Sequence, residues 1–299
     1  MVKGNAWRVC YVLCCESLSK MMSKKSRAKR RILALTLLAS LISVGGASAG
    51  PVEARYLVTI AGLHIGTAQF SGMISAQSYQ TSLNAQFTGL AGALTSGRGA
   101  VNVSGMLQGN RPLSNGYALK ANNSQINRTI QIAMSAGNIS QVVIEPPFEP
   151  KDDRVPVLEH HRRNVADPVS ALLMPVAGSG DMISPENCNR TIAVFDGVQR
   201  FDVTLSHAET VAVNDPKKGY VGFALVCRVR YAPVAGHRPL PATEYMTNNR
   251  DISVWLVPVE GSRTLIPYRI QVKTQIGNLL IDAQSISGLA VDATASIKR

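Results

Sequence analysis

The side chains in this sequence that could do chemistry are few and scattered. Cys188 and Asp196 stand in one short stretch, Cys188–Leu205 (CNRTIAVFDGVQRFDVTL), together with two arginines. A thiol and a carboxylate so close could carry nucleophilic or acid–base chemistry. A second polar cluster gathers Asp152, Asp153, Glu159, His160 and His161 with Arg154, Arg162 and Arg163. A metal site needs ligands that converge. Adjacent histidines on an extended chain point apart, and the interleaved arginines oppose a cation. That cluster is expected to be a solvated surface loop. His64, His207 and His237 are isolated, and no Gly-x-Ser-x-Gly elbow occurs. Gly89–Gly92 and Gly97–Gly99 match neither the Walker nor the dinucleotide pattern. No catalytic, metal or cofactor-binding residue is assigned, and no enzyme is expected.

The elements that would position these residues are strands. From Tyr56 onward, apolar side chains alternate with polar ones and turn signals recur, as in half-buried antiparallel strands. Tyr56, Val58 and Ile60 share a face before Gly62. Further alternating runs lie at 65–70, 82–88, 100–106, 117–121, 129–134, 139–144, 220–231, 252–257, 268–273 and 279–284. Pro146–Asn164 is rich in proline and charge and reads as an excursion over the surface. Asp167-Pro168 then makes a helix start, stopped by Pro175, which predicts one short helix near 167–174. The predicted class is mainly β: a curved antiparallel sheet, as an open barrel, half-barrel or β-spiral, over 50–290, with a flexible tail at 291–299.

On such a scaffold Asp196 becomes a turn residue. Asp-Gly between apolar runs signals a two-residue hairpin. With Asp196 and Gly197 as the turn, Phe195 faces Val198, which fixes the register. Val194 then faces Gln199, Ile192 faces Phe201, Arg190 faces Val203 and Cys188 faces Leu205, and these four pairs share one mostly apolar side. The other, with Ala193 opposite Arg200 and Thr191 opposite Asp202, suits solvent. Cys227 lies on the apolar face that holds Val221, Phe223, Leu225 and Val229. Two such faces brought together would make a buried disulfide between Cys188 and Cys227; the alternative is two free thiols.

The first 49 residues bear on that choice. A basic run, Lys24–Arg31, precedes an apolar run at 32–44 and a small-residue end, Ala47-Ser48-Ala49. These are the parts of a signal peptide, cleaved after Ala49. The alternative is an inner-membrane anchor at 32–44, although that run is shorter than the roughly 20 residues that span a bilayer. An exported chain enters an oxidising compartment, the bacterial periplasm being the natural one, and that favours the bridge. The leader also holds nine of the 31 Lys and Arg and one of the 19 acids. The remainder has 22 bases and 18 acids, so its net charge is +4 and gives no nucleic-acid signal. Aromatic residues are only 5% of the chain, which argues against a stacking platform for bases or sugars.

Five segments, taken in order, resemble a known family: the Tyr56–Gly66 hairpin, Asp167–Leu172, Phe195-Asp196-Gly197, Cys227 with Tyr231–Gly236, and Val254–Pro258 followed by Ile266-Pro267. They resemble the bacterial exported proteins grouped as the domain of unknown function 3108 family. The resemblance implies a periplasmic, mostly β protein and carries no catalytic residue. The plan is also similar to lipoprotein carriers and the β-spiral proteins of the envelope, a likeness of fold alone. The leading expectation is a non-catalytic periplasmic protein that supports the cell envelope by binding a lipid or lipoprotein in its curved sheet. An interaction module with a filled core, docking an envelope protein, and a hydrolase with an unrecognised site are the alternatives.

Overall fold

The computed structural model describes residues 50–88, 96–123 and 127–291. The leader, the possible anchor at 32–44, Gly89–Gly92 and most of the tail at 291–299 lie outside the described residues. Among the described residues the strands are β1 (Gly50–Ile60), β2 (Leu63–Ile74), β3 (Ser78–Phe87), β4 (Gly97–Gln108), β5 (Arg111–Asn123), β6 (Asn127–Ser135), β7 (Asn138–Glu145), β8 (Met174–Pro175), β9 (Arg190–Phe195), β10 (Arg200–Asp215), β11 (Tyr220–Ala235), β12 (Ile252–Pro258), β13 (Thr264–Thr274) and β14 (Gly277–Ser287). They form one antiparallel sheet, ordered β7-β6-β5-β4-β3-β2-β1-β14-β13-β12-β11-β10-β9, with β8 on β13. Thus β1–β7 is one meander and β9–β14 another. Pairing of β1 with β14 joins them, from Glu53 opposite Ser287 to Ile60 opposite Leu279.

This order leaves β7 and β9 as the sheet's two edges, and the chain from Pro146 to Asn189 must connect them. Its middle closes the seam. The Val165 amide donates to Gly137 O (2.9 Å) in the β6–β7 turn, and Ala166 exchanges backbone bonds with Ala193 and Phe195 on β9 (2.8 and 2.9 Å). Gly137 has φ +80°, and a Cβ there would press on the Val165 carbonyl at 3.0 Å, so glycine lets the seam close. The strap then turns inward. Val165, Val169 and Leu173 join a continuous core with Val52, Phe70, Ile74, Tyr117, Ile132, Phe195, Tyr220, Val257, Ile266 and Ile286. The interior of the open barrel is filled by side chains from both meanders and the strap.

Three expectations need correction. The helix near 167–174 is a single 3₁₀ turn, Ser170–Leu172, because Leu173 is already extended and Met174–Pro175 pairs with Leu265 and Thr264 of β13. The α-helix, α1, is Pro241–Asn248, with proline in its first turn as the usable signal. The β9–β10 hairpin has a four-residue loop, so Phe195 pairs with Arg200, Val194 with Phe201 and Ile192 with Val203. Asp196 Oδ1 accepts from the amides of Val198 (2.8 Å) and Gln199 (2.6 Å), and Asp196 N–H donates to Gln199 O. That aspartate-bridged turn encloses two residues more than a two-residue hairpin does. A shift of two residues keeps every side chain on its face. Ile192, Val203, Leu205 and Cys188 accordingly remain in one apolar cluster. Finally, the side expected to be solvated is not: Ala193 packs on the main core and Phe195, on the same face, is buried, with the strap bonded along β9 and Ile130 of β6 against Gly197 of the hairpin loop.

Where the β9–β10 loop meets the end of β11, Gly236 has φ +75°, and a Cβ there would overlap the Val198 carbonyl. Its amide donates to Val155 O (2.8 Å), and its carbonyl accepts from Arg154, so the surface excursion is tied down at this point. Gly236→Ala is expected to cost about 1–3 kcal/mol from forced backbone strain alone, read as a lowered urea midpoint with unchanged slope.

Candidate functional site

The two cysteines are bonded to each other: S–S 2.00 Å, Cα–Cα 5.6 Å. Cys188 closes a 3₁₀ turn, Pro185–Cys188, just before β9, and Cys227 sits in mid-β11 between His207 and Val254. Both sulfurs are buried among Met174, Leu205, Leu225 and Leu256. Asp196 lies beyond the far end of β9, and burial pushes its carboxyl above the usual range. The stretch that first suggested a reactive pair separates its two members.

The polar cluster of the surface excursion also resolves into local contacts. Asp153 pairs with Arg238 (2.8 Å), Glu159 with Arg163 (3.1 Å), and His161 accepts from the Leu158 amide (3.1 Å). Asp152, His160 and Arg162 complete it along the same segment. Among the described residues no three of His, Cys, Asp and Glu are grouped to hold a metal ion.

The polar group that sequence reasoning missed is interior. Asp167, expected as a helix cap, is fully buried on the strap. Its Oδ1 accepts from the Val169 and Ser170 amides (3.0 and 2.9 Å); its Oδ2 accepts from Ser114 Oγ (2.6 Å) and Ser170 Oγ (2.5 Å). Tyr79 donates to Ser170 Oγ (2.7 Å). Burial raises the Asp167 carboxyl above the usual range against the pull of these donors, and raises Tyr79 to about 12. No histidine or cation joins the network, and its four side chains are sealed from solvent. It pins the strap to β3 and β5.

The opposite face of β1–β6 has a different character. Two concavities of about 750 and 740 Å³ lie side by side there, open to solvent. Strand register sets their floor in rows. One row runs Arg55, Gln69, Asn84, Ala100, Lys120, and the next runs Leu57, Thr67, Gln86, Arg98, Asn122. A third runs Glu53, Ser71, Ser82, Asn102, with the serine hydroxyls 2.8 Å apart. Amides and hydroxyls line the surface, and Arg55, Arg98 and Lys120 have no carboxylate within ion-pair distance among the described residues. The contrast with the second meander is marked. There Asp282 holds both Lys218 (2.9 Å) and Arg269 (2.6 Å), a balanced pairing that keeps its carboxyl low against burial. The sequence carries this asymmetry: residues 50–135 have five bases and one acid, whereas 136–299 have seventeen of each. The whole +4 of the chain after its leader sits in residues 50–135, that is, in β1–β6.

No curated protein matches the chain in sequence. A solved structure titled as a beta-barrel-like protein of domain of unknown function DUF1849, from Brucella abortus, is similar at a TM-score of 0.49 and 11% identity, over 80% of this chain and 98% of that one. The family model for "Protein of unknown function (DUF3108)" matches residues 55–284, from β1 to β14. The chain belongs to the DUF3108 family.

Proposed function

We propose that this is a non-catalytic binding protein of the bacterial periplasm, supporting the cell envelope, and that it holds its ligand on the outer face of β1–β6. The observation that carries this reading is the contrast between the two faces of one sheet. The inner face is packed into a continuous core; the outer face is concave, rich in hydrogen-bonding groups and positively charged. An acyl chain inside the barrel, the leading expectation, would have to displace Phe70, Tyr117, Leu173 and Ile266. Each such burial is worth roughly 1.5–3 kcal/mol. A lipid or lipoprotein therefore enters this reading as a ligand of the surface. The basic, apolar and small-residue parts of the leader support export, and the buried disulfide is consistent with it. The hydrolase alternative draws no support from the interior carboxylates: Asp196 is held by amides of its own turn and Asp167 by its own turn and Ser114 of β5, with no histidine in either set of partners.

The test is site-specific photo-crosslinking in cells. A photoreactive residue at Gln69 or Asn84 is expected to give a discrete adduct, and one at Glu209, on the outer edge of the second meander, to give none. Arg98→Glu with Lys120→Glu should remove the adduct while leaving the melting temperature of this exposed face nearly unchanged. Equal labelling from all three positions, or none from the groove, would rule the reading out.

A further inference from the structure

We infer that the protein docks end-on against an anionic phospholipid surface, with Leu63, Phe87 and Ile276 entering the bilayer interface and Arg98 and Lys120 meeting the headgroups. This rests on the outer-face reading and names the surface that the face meets.

The three apolar side chains are 56%, 41% and 66% exposed, large values for residues of this kind. They stand on neighbouring elements at one end of the barrel. Leu63 begins β2, opposite Ile60. Ile276 caps the β13–β14 turn, whose Gly277 packs against Ala61 of the β1–β2 turn. Phe87 ends β3 beside Gly66. Each projects from a separate strand end. That geometry suits a deformable apolar medium better than a complementary protein surface.

Charge selects the medium. Phe87 pairs with Gly97, so Arg98 follows directly beside it, and Lys120 lies diagonally across from Arg98 on β5. These are two of the three cations in the rows of the outer face, and none of the three has a carboxylate within ion-pair distance among the described residues. The other end of the same strands makes the comparison. It exposes Met73 and Met106, but with Glu53 close by and its arginines, Arg111 and Arg190, bonded to the Asn164 (3.2 Å) and Asn110 (3.0 Å) carbonyls. Apolar tips and uncompensated cations coincide at one end. A cation near an anionic leaflet adds roughly fivefold to affinity, within a Debye length and therefore dependent on salt.

The experiment is co-sedimentation of protein purified from cells expressing the full chain. One set of vesicles holds phosphatidylglycerol with phosphatidylethanolamine; the other holds phosphatidylcholine alone. Wild type is expected to bind the anionic set, release with salt, and ignore competing glycerol phosphate. Leu63→Ser, Phe87→Ser and Ile276→Ser together should weaken binding about tenfold or more. Arg98→Glu with Lys120→Glu should do the same, at roughly fivefold per cation. Met73→Ser with Met106→Ser, at the other end, should change nothing. Equal binding to both vesicle types, an unaffected tip variant, or elution by glycerol phosphate overturns the inference. Absent vesicle binding with groove crosslinks intact overturns docking alone. Loss of both overturns the outer-face reading as well.

Discussion

Asp167→Ala is expected to remove most of the protein's stability, leaving it partly unfolded at room temperature. The carboxylate satisfies four donors at once: two backbone amides at the start of the 3₁₀ turn and the hydroxyls of Ser114 and Ser170. All lie in a site without water access, where a donor left unmade costs about 1–3 kcal/mol. Two hydroxyls can rotate towards other acceptors, but two amides cannot. The two amides alone come to about 2–6 kcal/mol, and a hydroxyl that finds no other acceptor adds to it, against the 5–15 kcal/mol that holds a typical domain together. The position matters as much as the count, because the strap carries Val165 to the seam and Leu173 into the core.

Asp167→Asn separates shape from charge. Its Oδ1 still accepts from both amides, and its Nδ2 donates to serine hydroxyls, one of which already accepts from Tyr79. Both hydroxyl protons that donated to Oδ2 lose their acceptor, at a cost of about 1–3 kcal/mol each unless the hydroxyl rotates to another. The charge effect has a definite sign. Because burial raises the folded-state pKa of Asp167 above its unfolded value, the protonated form is favoured in the folded protein. That contribution is fully present below the unfolded pKa and lost as pH rises through the folded one. Asp196, raised for the same reason, adds to it. Urea midpoints recorded from acid to neutral pH should therefore fall less steeply in Asp167→Asn than in wild type. Parallel profiles would mean that the carboxyl does not titrate in this range.

The period of the sequence made much of this legible, because alternation reports which side of a strand faces apolar neighbours. Tyr56, Val58 and Ile60 are buried together as their spacing requires. The slip at the β9–β10 hairpin was by two residues, so its faces survived even though its pairs did not. What alternation does not carry is what lies above a face. Ala193 looks solvated until the strap at Ala166, far earlier in the chain, covers it. Asp167 does hold the amides of Val169 and Ser170, although the turn that follows is 3₁₀ and starts two residues later than a helix capped by Asp167 would, and the donors from β5 and the β3 tyrosine come from sequence-distant strands. The outer face of β1–β6 was written in the polar half of the same alternation, as Gln69, Ser82, Asn84 and Asn102, and in the five-to-one charge ratio of that segment. Neither signal reveals concavity, which depends on how the sheet coils.

Loss of the Cys188–Cys227 bond is the other large effect. The bridge closes a 39-residue loop containing all of β9 and β10, and the chain-entropy relation gives about 4 kcal/mol for that length. Cys188→Ala with Cys227→Ala should lower the urea midpoint accordingly and raise the slope, since the unlinked unfolded chain exposes more surface. Alanine avoids placing two unpaired hydroxyls in the cluster of Leu205, Leu225 and Leu256. The loss should also be local before it is global. β9 is a sheet edge, bonded on one side to β10 and on the other only where Ala166 bridges Val194. The disulfide reaches past β10 to β11 and holds the start of that edge strand. Amide exchange in Arg190–Phe195 should therefore quicken more than in β1 or β14. Because both sulfurs are buried, reduction of the folded protein should proceed only as fast as this edge opens, whatever the thiol concentration. Reduction that scales with thiol under native conditions, or uniform exchange across the sheet, would show that the bridge does not guard the edge. Without it, β9 presents unpaired backbone to any other extended chain, so the double variant is expected to aggregate on refolding at concentrations where the bridged protein stays monodisperse by light scattering.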